Sequence, residues 1–420
     1  MRYITNPDEI KRIINKIIET NGGIFRLKPT WIARGGSSTP GRRIKLKNID
    51  VSQKLSVNER WFASVTYANN GEEFNKICPP DHGYSYIITD EGLIKLADAI
   101  EFCREEMLGD KNKKWDVLPK VFDNKGRLPF HIHPCDKHVK PGLKGKPESY
   151  FFPEELNMNP NNFPHTAVGV DTAVTDEEVY ERILRYKDGD NKLTDVGTTI
   201  NPEVGSGWYM PPCTLHAPGS LVTYELQVAS DVNCLPESRV DDWAMPSDLL
   251  DDAIPVTIAK DGYEAVCKYI LSMVQCEHSG NRVHFRKEYN RPPVVVKETE
   301  EGKQSYIVYH LAKASEENAP DLFSAKKTVI NPHKTMQLGE NAAFGAVILR
   351  GYGKVYCDNK EPVKFESVSM FDTIDDYYSD EIFVAACAAK TFHVECESYE
   401  PMSFYQHFAS DSNPEATKML

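Results

Sequence analysis

Positive charge is in short supply. The 420 residues hold 49 Lys and Arg against 62 Asp and Glu, a net charge of -13. A phosphate-binding surface needs an excess of basic residues, so no nucleic-acid partner is expected. Long apolar runs are missing too: nothing approaches the roughly 18 consecutive apolar residues of a membrane-spanning helix, so no membrane partner is expected. The opening stretch, Met1-Arg2-Tyr3-Ile4-Thr5-Asn6-Pro7-Asp8-Glu9, has no apolar segment behind its basic residue, which argues against a signal peptide. The ten cysteines include no Cys-x-x-Cys pair, a pattern that fits reduced thiols in a cytoplasmic protein. No repeat relates the two halves of the chain. What remains is an ordinary globular composition, 40% hydrophobic and 26% charged, with length for two or three domains.

Helix signals open the chain. Asn6 caps, Pro7 starts, Asp8 and Glu9 follow, and Ile10, Ile13, Ile14, Ile17 and Ile18 form a stripe that Gly22-Gly23 ends. Residues 25–67 read as irregular, with a loop at Gly35-Gly36-Ser37-Ser38-Thr39-Pro40-Gly41. A second helix is expected from Thr89-Asp90-Glu91 through Leu93, Leu96 and Ile100 to Gly109. From Trp115 the pattern becomes strand-like, over residues 128–133, 198–201, 207–210 and 221–228, interrupted by one helix whose Thr175 and Glu178 have capping-box spacing. A helical connector spans roughly 247–275. Short strands then return over 291–298, 305–311, 328–331, 344–350, 354–357, 383–386 and 402–407, with a hairpin turn at Arg350-Gly351-Tyr352-Gly353-Lys354. The expected fold is mainly β, two barrels with added N-terminal and connecting helices. The expected division is 1–114 packed on the first barrel, 115–240 that barrel, 241–280 the connector and 281–420 the second barrel.

The chemistry concentrates in Phe130-His131-Ile132-His133-Pro134, Gly145-Lys146-Pro147-Glu148 and Pro211-Pro212-Cys213-Thr214-Leu215-His216. Alternation along a strand turns His131 and His133 the same way. With Glu148 and His216 they compose a ligand set for one divalent metal, suited to Zn, Fe, Mn, Ni or Co. In the second barrel only Glu340 falls near the equivalent spacing, with His333 further back and His393 on a later strand, so that barrel is expected to be metal-free and to serve packing or a subunit interface.

Phe130–Pro134 and Pro211–His216 resemble the two halves of a cupin metal motif, with Cys213 where the second motif usually has glycine. The long loop ending Gly145-Lys146-Pro147-Glu148 resembles the mannose-6-phosphate isomerase branch. So do Val121-Phe122-Asp123, the run His216-Ala217-Pro218-Gly219-Ser220-Leu221-Val222-Thr223-Tyr224-Glu225-Leu226-Gln227, and Ser230-Asp231. The likeness covers residues 118–235; Trp31–Gly36 resembles that family's start only faintly. It implies two cupin barrels and an aldose–ketose isomerase acting on a sugar or sugar phosphate, with zinc the first choice of metal. It places Lys146, Glu225 and Asp231 among active-site polar residues. Two departures stand out: His131 replaces a common glutamine, and Leu235 falls where the family has a catalytic arginine, leaving nearby Arg239 as the substitute. Glu225 lies nine residues after His216, so Pro218-Gly219 must reset the strand register for both to face one site. Lys137, Lys140 and Lys144, in a basic loop with His138 and Lys146, are expected to attract an anionic substrate. A homodimer is among the assemblies expected. A sugar-binding bicupin without catalysis, and another cupin metalloenzyme such as an iron oxygenase, are the alternatives.

Overall fold

The computed structural model describes residues 2–35, 40–41, 43, 55–110, 114–158, 164–276, 280–282, 285–310, 322–367 and 380–418. Its architecture is mainly β, built on a ten-stranded and a seven-stranded sheet with smaller sheets of four, three and two strands. In the seven-stranded sheet the order is Asn290–Arg291, Gly207–Met210, Glu148–Phe151, Thr223–Val228, Val117–Phe122, Leu55–Trp61 and Thr30–Gly35. The three-stranded sheet pairs Gly197–Ile200 with Thr166–Val170, and that strand with His216–Ala217.

Several local expectations hold for physical reasons visible at the caps. The Asn6 side chain accepts from the backbone of Asp8 and Glu9, the helix runs Pro7–Asn21, and Gly22 ends it at φ 85. Thr175 and Glu178 form a reciprocal capping box at the start of Asp176–Leu184. The connector breaks at Pro255 and at Asp261-Gly262 into a short turn Ser247–Leu249 and helices Val256–Lys260 and Tyr263–Val274.

Other expectations need correction. The stretch from Thr89 begins no helix. Tyr86–Thr89 and Gly92–Lys95 form a hairpin, because the Thr89 hydroxyl accepts from the backbone of Glu91 and Gly92 and so closes a turn. The helix starts only at Leu96. Residues 128–133 form no continuous strand. Pro129 and Pro134 bracket two isolated bridges, His131 with His216 and Ile132 with Cys234. The supposedly irregular stretch 25–67 contains strands Ile24–Lys28, Thr30–Gly35 and Leu55–Trp61. The loop residues 36–39 and the strand end at Leu311 lie outside the described residues.

The N-terminal segment serves both large sheets. Ile24–Lys28 pairs with Glu381–Val384 in the ten-stranded sheet, whereas Leu55–Trp61 pairs with Val117–Phe122 in the seven-stranded one. A fully buried ion network joins the two: Arg60 donates to Asp380 at 2.7 Å and to Glu381 at 3.1 Å. Glu381 also accepts from the Ala63 backbone at 2.7 Å. A large apolar cluster, including Phe62, Tyr224, Phe383 and Tyr405, fills the space between the sheets.

Candidate metal centre and cleft

The four expected ligands meet although they come from three segments. One donor atom each from His131, His133, Glu148 and His216 lies within 4.8 Å of all the others, and all four side chains are buried. The ring centroids of His131 and His216 are 4.2 Å apart, those of His131 and His133 4.9 Å. His131 and His216 face each other because their backbones form a bridge, each N–H donating to the other's carbonyl.

The orientation of each ring is fixed from behind. Nδ1–H of His131 donates to Pro129 O at 2.7 Å, that of His133 to Val232 O at 2.9 Å, and that of His216 to Thr214 O at 2.8 Å. A carbonyl can only accept, so in neutral rings all three Nε2 atoms carry lone pairs. Backbone carbonyls are the usual outer partners of metal-bound imidazoles. Burial, reinforced by the neighbouring His216 and His133, holds His131 well below the ordinary imidazole value. Burial and Lys146 push His133 down to about 3. Burial opposes ionisation of Glu148, yet His133, Lys146 and His216 outweigh it and hold its carboxyl well below the usual range.

The donor set fits a divalent cation. His216 Nε2 lies 2.8 Å from Glu148 Oε1 yet makes no hydrogen bond. With the proton on Nδ1, these are two buried acceptors facing each other, which is costly without a cation or proton between them. Zinc, iron, manganese, nickel and cobalt are all compatible with three imidazoles and a carboxylate.

Glu148 returns to the histidines because the loop before it is pinned at both ends. Lys146 N–H donates to Pro134 O at 3.1 Å and Gly145 N–H to Asp136 Oδ1 at 2.7 Å. A Cβ on Gly145 would come within 2.6 Å of the Asp136 backbone nitrogen, so only glycine permits this approach. Lys146 Nζ then lies 3.2 Å from His133 Nε2 and 3.6 Å from Glu148 Oε2. After His216 the chain leaves one sheet at Ala217 and enters another at Thr223, which is the register change that Glu225 requires.

The sheet order sets a charged row beside the ligands. Glu225 is paired with Tyr150 on one side and Lys120 on the other. Lys120 Nζ is 3.2 Å from Glu225 Oε1, and the Tyr150 hydroxyl donates to Glu148 Oε1. Burial and Glu148 raise Glu225 to about 8, against the pull of Lys120 and Lys146. Lys146 is lowered, first by burial and then by Lys120, with Glu148 opposing. Two strands further, Arg34 binds Glu59 of the intervening strand at 2.8 Å and Asp231 at 3.0 Å. These groups line a cleft that opens to solvent and includes His131, His133 and Glu148.

The remaining expected residues lie elsewhere. Arg239 is exposed on the short hairpin Arg239–Val240 and Trp243–Ala244, donates to Asp242 O, and does not line the cleft. Lys137 and Lys144 are exposed, Lys140 is half-buried, and none of the three lines it. Leu235 does line it, and the guanidinium present there is that of Arg34. Arg34, Glu59, Lys120 and Tyr150 are the residues that sequence reasoning passed over. Lys120 alone left a clear signal, a lysine inside the otherwise apolar strand Val117–Phe122. In the second half Glu340 is buried against Lys326 at 2.7 Å and Gln304 at 3.2 Å, an ion pair that accounts for its burial.

No family model matches the sequence, and no curated protein does. Solved structures do match, and they define a mannose-6-phosphate isomerase-type fold. A mannose 6-phosphate isomerase from Bacillus subtilis superposes with a TM-score of 0.60 at 15% identity, covering 92% of this chain and 99% of that one. A putative mannosephosphate isomerase from Archaeoglobus fulgidus gives 0.57 at 13%, covering 92% and 97%. A phosphomannose isomerase variant from Salmonella typhimurium gives 0.55 at 12%, covering 91% and 98%.

Proposed function

We propose that this protein is a metal-dependent aldose–ketose isomerase acting on a sugar or sugar phosphate. The observation that carries the reading is the convergence of three lone-pair-bearing imidazoles and Glu148 at one cleft that also holds Lys146 and Glu225. The fold shared with mannose-6-phosphate isomerases supports it. His131, His133, Glu148 and His216 would hold the metal, zinc first among the candidates, which supplies polarisation of a bound carbonyl.

The side chains around it divide the proton transfers. Burial leaves Lys146 more readily neutral than an ordinary lysine, so its Nζ can accept the proton from the carbon beside the carbonyl. The electron pair of that C–H bond forms the carbon–carbon double bond of an enediol. Glu225, with a pKa of about 8, holds a proton near neutral pH and gives it to the carbonyl oxygen. Lys146 then returns its proton to the former carbonyl carbon and Glu225 takes the proton of the other hydroxyl, which forms the new carbonyl and restores both groups. Lys120 holds Glu225 in place from the next strand. Asp231 acts through Arg34, which it orients together with Glu59.

Three cationic side chains, Arg34, Lys120 and Lys146, and four acidic ones, Glu59, Glu148, Glu225 and Asp231, line the cleft among the described residues. With a dication the balance becomes positive, which suits either a polarised sugar or its phosphate. The test is turnover of hexoses and hexose 6-phosphates by metal-loaded protein, and by Lys146→Ala and Glu225→Gln. Interconversion lowered about 10²–10⁴-fold in each variant, the usual worth of a positioned acid or base, supports the roles. Full activity in both variants refutes them.

A further inference from the structure

A second group of metal-ligating side chains lies outside the cleft. Cys135, His138, Cys213 and Cys276 place one donor atom each within 4.8 Å of one another. His138 Nδ1 is 3.1 Å from Cys135 Sγ and 3.7 Å from Cys213 Sγ. Zinc bonds of about 2.3 Å to sulfur and 2.0 Å to nitrogen give tetrahedral edges of roughly 3.5–3.8 Å, so small side-chain adjustments would complete a coordination shell. His138 and Cys213 are buried, Cys135 and Cys276 half-buried, and all three sulfurs are free thiols.

The backbone makes the same point independently. Cys213 has φ 63, in the left-handed region that favours glycine. It stands where the cupin motif usually has glycine, so this chain carries a thiol at a position whose backbone disfavours most side chains. That sulfur accepts the Cys135 backbone N–H at 3.2 Å, the kind of hydrogen bond that supports a metal-bound thiolate. The Cys213 backbone is tied on both sides, its N–H to His133 O at 2.6 Å and its carbonyl to Asn281 Nδ2 at 2.7 Å.

The four residues come from three places in the fold. Cys135 and His138 open the loop that ends in Lys146 and Glu148. Cys213 lies in the turn before His216, and Cys276 follows the connector helix Tyr263–Val274. We propose that Cys135, His138, Cys213 and Cys276 form a structural Cys3His zinc site that fastens the Lys146 loop and the His216 turn to the connector helix. Four protein ligands close the shell, which suits a structural metal and leaves no position for substrate.

The test uses the whole chain, stripped of metal under reducing conditions and titrated with cobalt(II). A sulfur-to-cobalt charge-transfer band with the visible spectrum of a tetrahedral thiolate site is expected. Alkylation of Cys135, Cys213 and Cys276 should be slow in zinc-loaded protein and fast after chelation. Cys213→Gly removes one ligand while supplying the residue that this φ favours, so the variant should fold, lose the charge-transfer band and bind one zinc fewer. Absence of the band from wild-type protein overturns the proposal. So does a Cys135–Cys213 disulfide in native protein, or zinc stoichiometry unchanged by Cys213→Gly. The cleft has no sulfur ligand, so these results are independent of whether the isomerase reading stands.

Discussion

Glu225 illustrates how one buried carboxyl links stability to function. Its folded value of about 8 exceeds the ordinary glutamate value of 4.5, so the folded state binds the extra proton between those limits. The contribution to stability is therefore full below the ordinary value and is lost as pH rises through about 8. In metal-free protein, the difference in unfolding free energy between wild type and Glu225→Gln should shift toward the variant over that window. Denaturant unfolding at a series of pH values checks this, and a flat difference contradicts it. At the ligands, Glu148→Gln leaves His216 Nε2 facing an amide rather than a carboxylate and should weaken metal binding at least 10–100-fold, measured by competition with a chelator. The four candidate ligands that the structure brings together were legible in the sequence because a His-x-His pair flanked by proline and a later His in a proline-rich turn are local patterns. Arg34 and Glu59 were not, since a charged residue in a strand reads as solvent-facing until the sheet order shows what lies opposite; only Lys120 stands out, as a lysine within an apolar strand.

At the scale of the element, caps and turn residues were read correctly where the side chain acts on its own neighbours, as at Asn6 and Thr175. Thr89 misled for the same reason: its hydroxyl closes a turn between two strands, a choice made by the parallel pairing of Gly92–Lys95 with Tyr3–Ile4 across the chain. The strand Leu55–Trp61 escaped notice because it buries Asn58, Glu59 and Arg60. Its Arg60 pairs with Asp380 and Glu381, more than three hundred residues away, and no local pattern announces that partner. Removing one member of a buried ion network leaves the others uncompensated, at a cost of about 3–5 kcal/mol. Asp380→Ala should lose stability in that range by denaturant unfolding, whereas removal of the exposed pair at Arg12 and Glu91 should leave the unfolding transition nearly unchanged.

For the whole molecule, a mainly β fold was legible from the many short strands, and the solved structures bear it out at 12–15% identity. The way the N-terminal segment shares its strands between two sheets was not legible, because pairing partners are set by tertiary packing. Metal should register in global stability. A ligand that binds only the folded state at a hundred times its Kd adds about 2.7 kcal/mol, so zinc should raise the unfolding temperature of stripped protein. That rise should shrink in Glu148→Gln.

The proposed function has His131, His133, Glu148 and His216 hold a metal at which an aldose and a ketose interconvert. It is tested most directly by following that interconversion in metal-loaded, chelated and reloaded protein beside Glu148→Ala. Turnover should disappear on chelation, return on reloading and be absent from Glu148→Ala despite retained folding. Turnover that survives both chelation and the substitution, or its absence from the metal-loaded wild type across hexoses and hexose 6-phosphates, would contradict it.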